Sequence, residues 1–144
     1  MQIRPFTPAD MEAVLAVWLD ASLLAHHFIA PAYWHANLDA MRGIYLPAAD
    51  NHVLCQDGAV LGFYSLHGET LAALFVAPAH QGRGHGKALL AHAKRQRPAL
   101  RLQVYRQNRA SCDFYLAQGF TIEGEQRDPH TGCVEWVMGW SAEG

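Results

Sequence analysis

The spacing of apolar residues predicts a short strand at residues 2–5 and then two helices. Thr7 followed by Pro8 is typical of a helix start, because a hydroxyl caps the first turn and proline fits there. Apolar side chains then recur at helical spacing at Val14, Leu15, Trp18 and Leu19. A second helix is predicted after Pro31 and ends near Leu46-Pro47, with an apolar side made of Tyr33, Trp34, Leu38 and Met41.

From residue 52 onward the pattern changes to that of short strands. Residues 52–56 and 60–66 predict two strands around Asp57-Gly58, which is a hairpin signal. Thr70–Val76 is almost continuously apolar, as expected of a central strand. The remaining predicted elements are a helix at 87–97, a strand at 100–104, a helix at 108–118 that ends before Gly119, and a hairpin of strands at 120–126 and 133–140.

The predicted order is therefore β-α-α-β-β-β-α-β-α-β-β, an α/β fold with a mixed sheet and helices on it. With 144 residues and no repeat or linker, residues 1–144 are predicted to form a single domain. A hydrophobic fraction of 51% with 17% charged residues is that of a globular protein, and no apolar run approaches a membrane span. Three cysteines without CxxC spacing favour a reducing cytoplasm over a disulfide framework.

Charge is distributed unevenly along the chain, although the net charge is only −2. Residues 70–112 carry eight Lys or Arg and no acid, while the rest carries three bases and all thirteen acids. This pattern fits either a solvated basic helix or a site for an anionic ligand beside an acidic surface. Nucleic acid is a weaker partner, because the basic stretch has few aromatic residues and the total charge is negative.

The glycine-rich segment 81–87, Gln-Gly-Arg-Gly-His-Gly-Lys, lies between a predicted strand and a predicted helix. Glycines there let backbone N–H groups converge on an anion at the helix N-terminus. A Walker A loop is excluded, because three residues rather than four separate Gly82 from Gly86 and Ala88 follows Lys87. A dinucleotide fingerprint fails too, since neither Lys87 nor Leu89 supplies the last glycine. A glycine-rich turn without a ligand remains the alternative.

Two motifs resemble the GNAT acetyltransferase family. Gln81-x-x-Gly84-x-Gly86 is similar to its Gln/Arg-x-x-Gly-x-Gly/Ala signature, and the segment 108–120 is similar to its Asn…Phe-Tyr…Gly-Phe block. Together they cover residues 70–122, and the element order agrees over the whole chain. Segments 25–29 and 33–34 also resemble the YiaC-type branch of bacterial protein-lysine acetyltransferases. The resemblance implies a GNAT-like, mostly antiparallel sheet and an N-acetyltransferase that moves an acetyl group from acetyl-CoA to a primary amine.

The resemblance also implies which residues bind acetyl-CoA. The glycine loop would wrap its pyrophosphate, and the backbone near Phe75 and Val76 would pair with its pantetheine arm like an extra strand. Asn108 is expected both to cap its helix and to contact that arm. The full predicted set is Phe75, Val76, Gln81, Gly82, Arg83, Gly84, His85, Gly86, Lys87, Asn108 and Ser111.

The resemblance to the GNAT family also implies that Tyr115 is the general acid, which returns a proton to the departing thiolate. Its pKa near 10 is close enough to that of a thiol for this role. The general base is open, because the segment 71–76 has no carboxylate; His26, His67 or a chain of waters are the candidates. Cys112 is expected to be core rather than nucleophile. No metal site is predicted, since HExxH and zinc-finger spacings are absent.

The acceptor amine is expected to enter from the loop between the first two helices. His26, Phe28 and Tyr33 are the predicted substrate-binding residues there, although Phe28 could instead only join the helices to the sheet. A protein lysine or N-terminus is the predicted acceptor. A small-amine acetyltransferase and a non-catalytic acyl-CoA sensor are the alternatives. The expected partners are acetyl-CoA and the acceptor, without nucleic acid or membrane, for a monomer or homodimer.

Overall fold

The computed structural model describes residues 1–143 and has the predicted order of elements. Its strands are β1 (Gln2–Pro5), β2 (Asp50–Gln56), β3 (Ala59–His67), β4 (Thr70–Val76), β5 (Ala99–Tyr105), β6 (Thr121–Arg127) and β7 (Val134–Ser141). Its helices are α1 (Met11–Ala25), α2 (Pro31–Ala36), the short α3 (Leu38–Ala40), α4 (His85–Gln96) and α5 (Arg109–Ala117). Within residues 1–143, no helix is long and apolar enough to cross a lipid bilayer.

The strands form one sheet in the order β1-β2-β3-β4-β5-β7-β6. Neighbouring strands are antiparallel except β4 and β5, so the predicted mixed, mostly antiparallel sheet is confirmed. β4 and β5 pair only at their N-terminal ends, where Thr70 lies opposite Arg101. Beyond that point the strands are no longer paired, and residues of both line a cavity. The sheet is therefore open between its two central strands.

Hydrophobic clusters cover both faces of the sheet. On one face α4 and α5 pack against residues such as Leu54, Tyr64 and Leu102. On the other face α1 and α2 pack against residues such as Val53 and Phe63. Val53 and Leu54 are neighbours that belong to opposite clusters, as the two-residue period of a buried strand requires. The helices thus enclose the open part of the sheet from both sides.

The predicted second helix differs from the structure, because it is broken. α2 ends at Ala36, and the Asn37 side chain donates a hydrogen bond from Nδ2 to the Tyr33 carbonyl at 2.7 Å. Such a bond competes with the backbone pairing of the helix. After α3 the chain widens into a π-helical turn over Met41–Tyr45. π-helical turns often occur at functional sites, and this one places Met41 and Tyr45 beside the cavity between β4 and β5.

The start of the first helix is held by an ion pair to the first strand. The predicted cap at Thr7 begins a 3₁₀ turn, Pro8–Asp10, which leads into α1. The Asp10 carboxylate accepts hydrogen bonds from the Thr7 backbone N–H at 2.8 Å and from both terminal nitrogens of Arg4 at 2.8 and 2.9 Å. This bidentate pair fixes α1 against β1.

Candidate active site

The glycine loop has a backbone that only glycine adopts easily. It follows β4 and a short 3₁₀ turn, and it ends where α4 begins. Gly82 and Gly84 have φ angles of 78° and 83°, in the left-handed region, and Gly84 is the N-cap residue of α4. Gln81 anchors the loop by donating from Nε2 to the Val76 carbonyl at 3.0 Å. The loop is therefore preformed at a helix N-terminus, where backbone N–H groups favour an anion.

A cavity of about 680 Å³, the outer cavity, lies against this loop. The start of α5 forms its opposite side, and the end of α1, with Leu24, Ala25 and His27, closes it. All but one of the residues predicted to bind acetyl-CoA line it: Phe75, Val76, Gln81, Gly82, Gly84, His85, Gly86, Lys87, Asn108 and Ser111. Arg83 lies in the loop but is not among the lining residues.

Two of the eight basic residues in the segment 70–112 line this cavity, and the others lie elsewhere. Arg97, Arg101 and Arg106 form ion pairs with acidic residues of β2 and β6. Lys94 lies over the rings of Phe120 and Trp140 and donates to a backbone carbonyl. In residues 1–143 no acidic partner is recorded for Arg83, Lys87, Arg95 or Arg109, and of these four Lys87 and Arg109 line the outer cavity.

The edge of β4 that faces β5 offers unpaired backbone groups next to the glycine loop. Past Thr70 it has no strand partner on that side. On its other side the pairing with β3 skips Ala72, which leaves a bulge there. An extended ligand with amide groups fits such an edge by forming hydrogen bonds as an added strand does. Phe75 and Val76 stand where that ligand would reach the loop.

A second cavity of about 340 Å³, the inner cavity, lies deeper between β4 and β5. It shares Leu74, Phe75, Asn108 and Ser111 with the outer cavity, so the two adjoin. Three of its lining side chains have a buried polar atom without a hydrogen-bond partner: Trp34 Nε1, Ser65 Oγ and His26 Nδ1. Unpaired buried polar atoms are rare in folded proteins, so these three could pair with polar groups of a molecule bound in the cavity.

Tyr115 reaches the inner cavity from α5. Its side chain is 8% exposed and packs against the rings of Phe114 and Phe120. No residue in 1–143 hydrogen-bonds to its hydroxyl, and burial raises the pKa of the phenol above its usual value. The phenol is therefore protonated at neutral pH and has a proton to donate. Tyr115 is both part of the core and part of the cavity wall.

A contact between Asn108 and His26 joins the loop after α1 to the start of α5. The Asn108 side chain accepts from the Ser111 backbone N–H at 3.3 Å, which is a helix cap, and its Nδ2 lies 3.4 Å from His26 Nε2. Because an amide nitrogen can only donate, Nε2 accepts and Nδ1 carries the ring proton. Burial lowers the pKa of His26 to about 4, so the ring is neutral.

The other residues predicted for catalysis or acceptor binding lie outside the inner cavity. Phe28 packs edge-on against His26 and Tyr105, and Tyr33 packs edge-on against Trp34, so each supports the wall from behind. His67 is exposed at the end of β3 and lines neither cavity. Of the predicted acceptor-binding residues, His26 is the one that lines the cavity itself.

The sequence and the fold both match characterised acetyltransferases. An acetyltransferase (GNAT) domain model matches residues 47–122, more than half of the chain. The chain is 39% identical over 139 residues to the peptidyl-lysine N-acetyltransferase YiaC of Escherichia coli K12, covering 96% of this chain and 95% of that protein. The chain belongs to the GNAT acetyltransferase family.

Solved structures agree with this GNAT assignment. The fold is similar to that of apo YjaB from Escherichia coli, with a TM-score of 0.85, 27% identity and 96% of both chains covered. It is also similar to the PaiA N-acetyltransferase of Thermoplasma acidophilum in complex with coenzyme A, with a TM-score of 0.81 and 20% identity over 97% of this chain and 98% of that one. The resemblance seen in the two sequence motifs is confirmed, and the protein is an acetyl-CoA-dependent N-acetyltransferase.

The inner cavity is also lined by residues that are not among the predicted site residues, including Trp18, Trp34, Tyr105 and Glu135. The helical spacing of Trp18 and Trp34 predicts only that they lie on the apolar sides of their helices. Glu135 carries a signal that was available, because it is the single acid in the segment 134–140 of an otherwise largely apolar strand. Tyr105 carries a weaker one, since it follows the alternating apolar residues of β5 at the strand end.

Cys112 is buried, as predicted, rather than exposed at the site. Its thiol donates to the Tyr105 carbonyl at 3.5 Å, and burial raises the pKa of the thiol, which disfavours the thiolate that a nucleophile needs. In the part of the chain that the structure describes, no three His, Cys, Asp or Glu side chains are grouped to hold a metal ion.

Proposed function

We propose that this GNAT enzyme acetylates lysine side chains of proteins, with Tyr115 as the general acid. The observation that carries the proposal is the meeting of two cavities at β4. The outer one has an anion-binding loop and the inner one contains a buried, protonated phenol. Its relatives YiaC and YjaB are named peptidyl-lysine N-acetyltransferases, which supports lysine as the acceptor.

The residues present fit acetyl-CoA, which supplies an acetyl thioester. Loop N–H groups with Lys87 and Arg109 bind its phosphates, and the free edge of β4 binds the amide-bearing arm. That arrangement directs the thioester along β4 into the inner cavity, towards Tyr115. The acceptor amine then attacks the acetyl carbon directly, and the Tyr115 hydroxyl gives a proton to the sulfur as the C–S bond breaks.

The experiment that tests this proposal compares acceptors in one assay. The protein is incubated with acetyl-CoA and an N-terminally blocked peptide containing one lysine, with the same peptide carrying arginine and a free N-terminus, or with small primary amines. Mass spectrometry counts the acetyl groups transferred. We expect the blocked lysine peptide to be acetylated and the arginine peptide to react more slowly.

Each other outcome has a distinct meaning. Acetylation of small amines alone would make the protein a small-amine acetyltransferase. Binding of acetyl-CoA in calorimetry without transfer to any amine would favour the sensor alternative.

We also propose a cytoplasmic location, supported by Cys55, Cys112 and Cys133, which are all free thiols in the structure.

A further inference from the structure

The reaction needs a group that takes a proton from the acceptor, and β4 has no carboxylate to do so. A lysine amine has a pKa near 10.4, so at pH 7 only about one molecule in 2,500 is neutral and able to attack. His26 cannot take the proton, because Nε2 already accepts from Asn108 and Nδ1 carries a hydrogen. His67 lies outside both cavities.

One carboxylate lines the inner cavity, and it comes from a different strand. Glu135 is the only acidic residue among 1–143 that lines either the inner or the outer cavity. It lies on β7, opposite Tyr105 of β5, and is 9% exposed. Gln126 of β6 donates to its Oε1 at 2.7 Å, while no hydrogen bond to Oε2 is recorded. Gln126 thus holds the carboxylate in place and leaves one oxygen available.

A neighbouring acid is not available in the same way. Asp128 accepts hydrogen bonds from the Tyr105 hydroxyl at 2.5 Å and from the His130 backbone N–H at 2.8 Å, one on each carboxylate oxygen. It does not line the inner cavity. The charges of Asp128 and Glu135 add to burial in raising the pKa of Tyr33, which packs on Trp34 behind the cavity wall. Glu135 is thus the carboxylate that a cationic amine in the inner cavity would meet.

We propose that Glu135 binds the acceptor's ammonium group in the inner cavity and takes its proton before attack. This proposal rests on the proposed function. It assigns the general base, which the proposed function left open. One N–H bond of the ammonium breaks and an O–H bond forms on Glu135, which later releases that proton to water. The neutral nitrogen then forms its bond to the acetyl carbon, and the C–S bond breaks. Tyr115 protonates the sulfur and recovers its proton from the attacking nitrogen.

The test is the pH dependence of Glu135→Gln. Glutamine keeps the shape and the bond from Gln126 but can neither attract a cation nor accept its proton. At pH 7 we expect kcat/KM for a lysine peptide to fall about 10²–10⁴-fold, the usual contribution of a general base. Because the variant must wait for amine that is already neutral, its deficit should shrink about tenfold for each pH unit up to about pH 10.

A second acceptor sharpens the same test. A peptide whose only amine is its N-terminus has a pKa near 8, so a much larger fraction of it is neutral at pH 7. We expect Glu135→Gln to harm this acceptor far less than the lysine peptide. A deficit that is the same at all pH values and for both acceptors would show that Glu135 is structural and would overturn the proposal, as would full activity of the variant at pH 7.

Two further variants act as controls. Glu125→Gln makes the same chemical change on β6, at an exposed residue that pairs with Arg106 outside the cavity, and should leave kinetics unchanged. Glu135→Asp keeps the charge but shortens its reach, and should retain part of the activity. Calorimetry with acetyl-CoA and thermal unfolding verify that each variant is folded and binds the donor as the wild type does.

Failure of this proposal and failure of the proposed function can be told apart. The wild type alone decides the acceptor class in the assay above. If it acetylates small amines but not lysine peptides, the pH comparison of Glu135→Gln is made with the small amine instead. A pH-dependent deficit would then support Glu135 as the base even though the lysine assignment had failed.

Discussion

At the residue scale, the hydroxyl of Tyr115 is a single group whose removal separates chemistry from binding. Tyr115→Phe keeps the ring that packs against Phe114 and Phe120, so stability and acetyl-CoA affinity should persist. Loss of a general acid should lower kcat about 10²–10⁴-fold. Steady-state kinetics with the acceptor peptide measure the change in kcat, and calorimetry measures the affinity for acetyl-CoA. An unchanged kcat, with chemistry shown to be rate-limiting, would remove Tyr115 from the proposed mechanism.

Phe28 tests the acceptor side of the site. Its ring supports His26 and Tyr105, which line the inner cavity, and it lies away from the glycine loop. Phe28→Ala should therefore raise the acceptor KM several-fold while leaving the acetyl-CoA affinity nearly intact. Kinetics at varied acceptor and donor concentrations measure the two separately. A lower melting temperature with both substrates weakened alike would mean that Phe28 only holds helices to the sheet.

Which residues could be predicted from the sequence depends on whether their roles are local. The loop glycines and Asn108 act through backbone conformations and caps that short segments determine, and in the structure they line the outer cavity. Glu135 belongs to the site only because β7 inserts between β5 and β6. That pairing is long-range, so spacing along the chain could not bring Glu135 and Tyr115 together.

At the element scale, the inner cavity exists because β4 and β5 are unpaired over most of their length. A continuous parallel pairing would use the backbone groups of β4 that we propose bind the arm of acetyl-CoA. The pairing stops after Thr70 and Arg101, and the glycine loop continues from the free end of β4. The sequence predicts these strands and the loop between them, but it does not predict where the pairing of β4 with β5 stops, because that pairing joins segments about 30 residues apart.

Gly84→Asp tests the glycine loop against a matched control. An aspartate at the start of α4 puts a side chain and a negative charge where the phosphates would bind, so acetyl-CoA binding in calorimetry should be lost. Gly58→Asp introduces the same residue at a φ of 80° in the β2–β3 turn, against 83° at Gly84, and neither added Cβ meets another atom. Both variants carry similar backbone strain, of about 1–2 kcal/mol.

The outcome of that comparison is decided by binding rather than by stability. We expect the two variants to show similar losses in melting temperature, with the Gly58→Asp protein binding acetyl-CoA as the wild type does. Equal binding by a folded Gly84→Asp protein would contradict the assignment of this loop to the phosphates.

At the scale of the whole molecule, the uneven charge of the sequence places basic residues at the outer cavity and an acidic residue at the inner cavity. Three of the eight bases in residues 70–112 are paired with acids on β2 and β6, and two others, Lys87 and Arg109, line the outer cavity. The acid that lines the inner cavity, Glu135, lies on β7. The anionic donor and the cationic acceptor would thus approach regions of opposite charge. Net charge alone, at −2, conceals this division.

The buried histidine also links the site to the stability of the whole fold. Burial lowers the pKa of His26 from 6.5 to about 4. The unfolded chain takes up a proton below pH 6.5, whereas the folded protein does so only near pH 4, so stability is full above pH 6.5 and is lost as the pH falls towards 4. Between pH 7 and pH 5 this residue should account for about 2 kcal/mol of the free energy of unfolding.

Urea denaturation of the wild type and of His26→Gln at pH 7, 6 and 5 measures this contribution. Burial also lowers the pKa values of His52 and His92. On acidification the free energy of unfolding of the wild type should therefore fall by more than the contribution of His26. The variant keeps those two histidines, and the difference between the two pH slopes isolates His26. We expect the variant to be less stable at pH 7, because it loses the packing on Trp34, yet to lose less on acidification. Parallel slopes would mean that His26 becomes protonated as readily in the folded protein as in the unfolded chain.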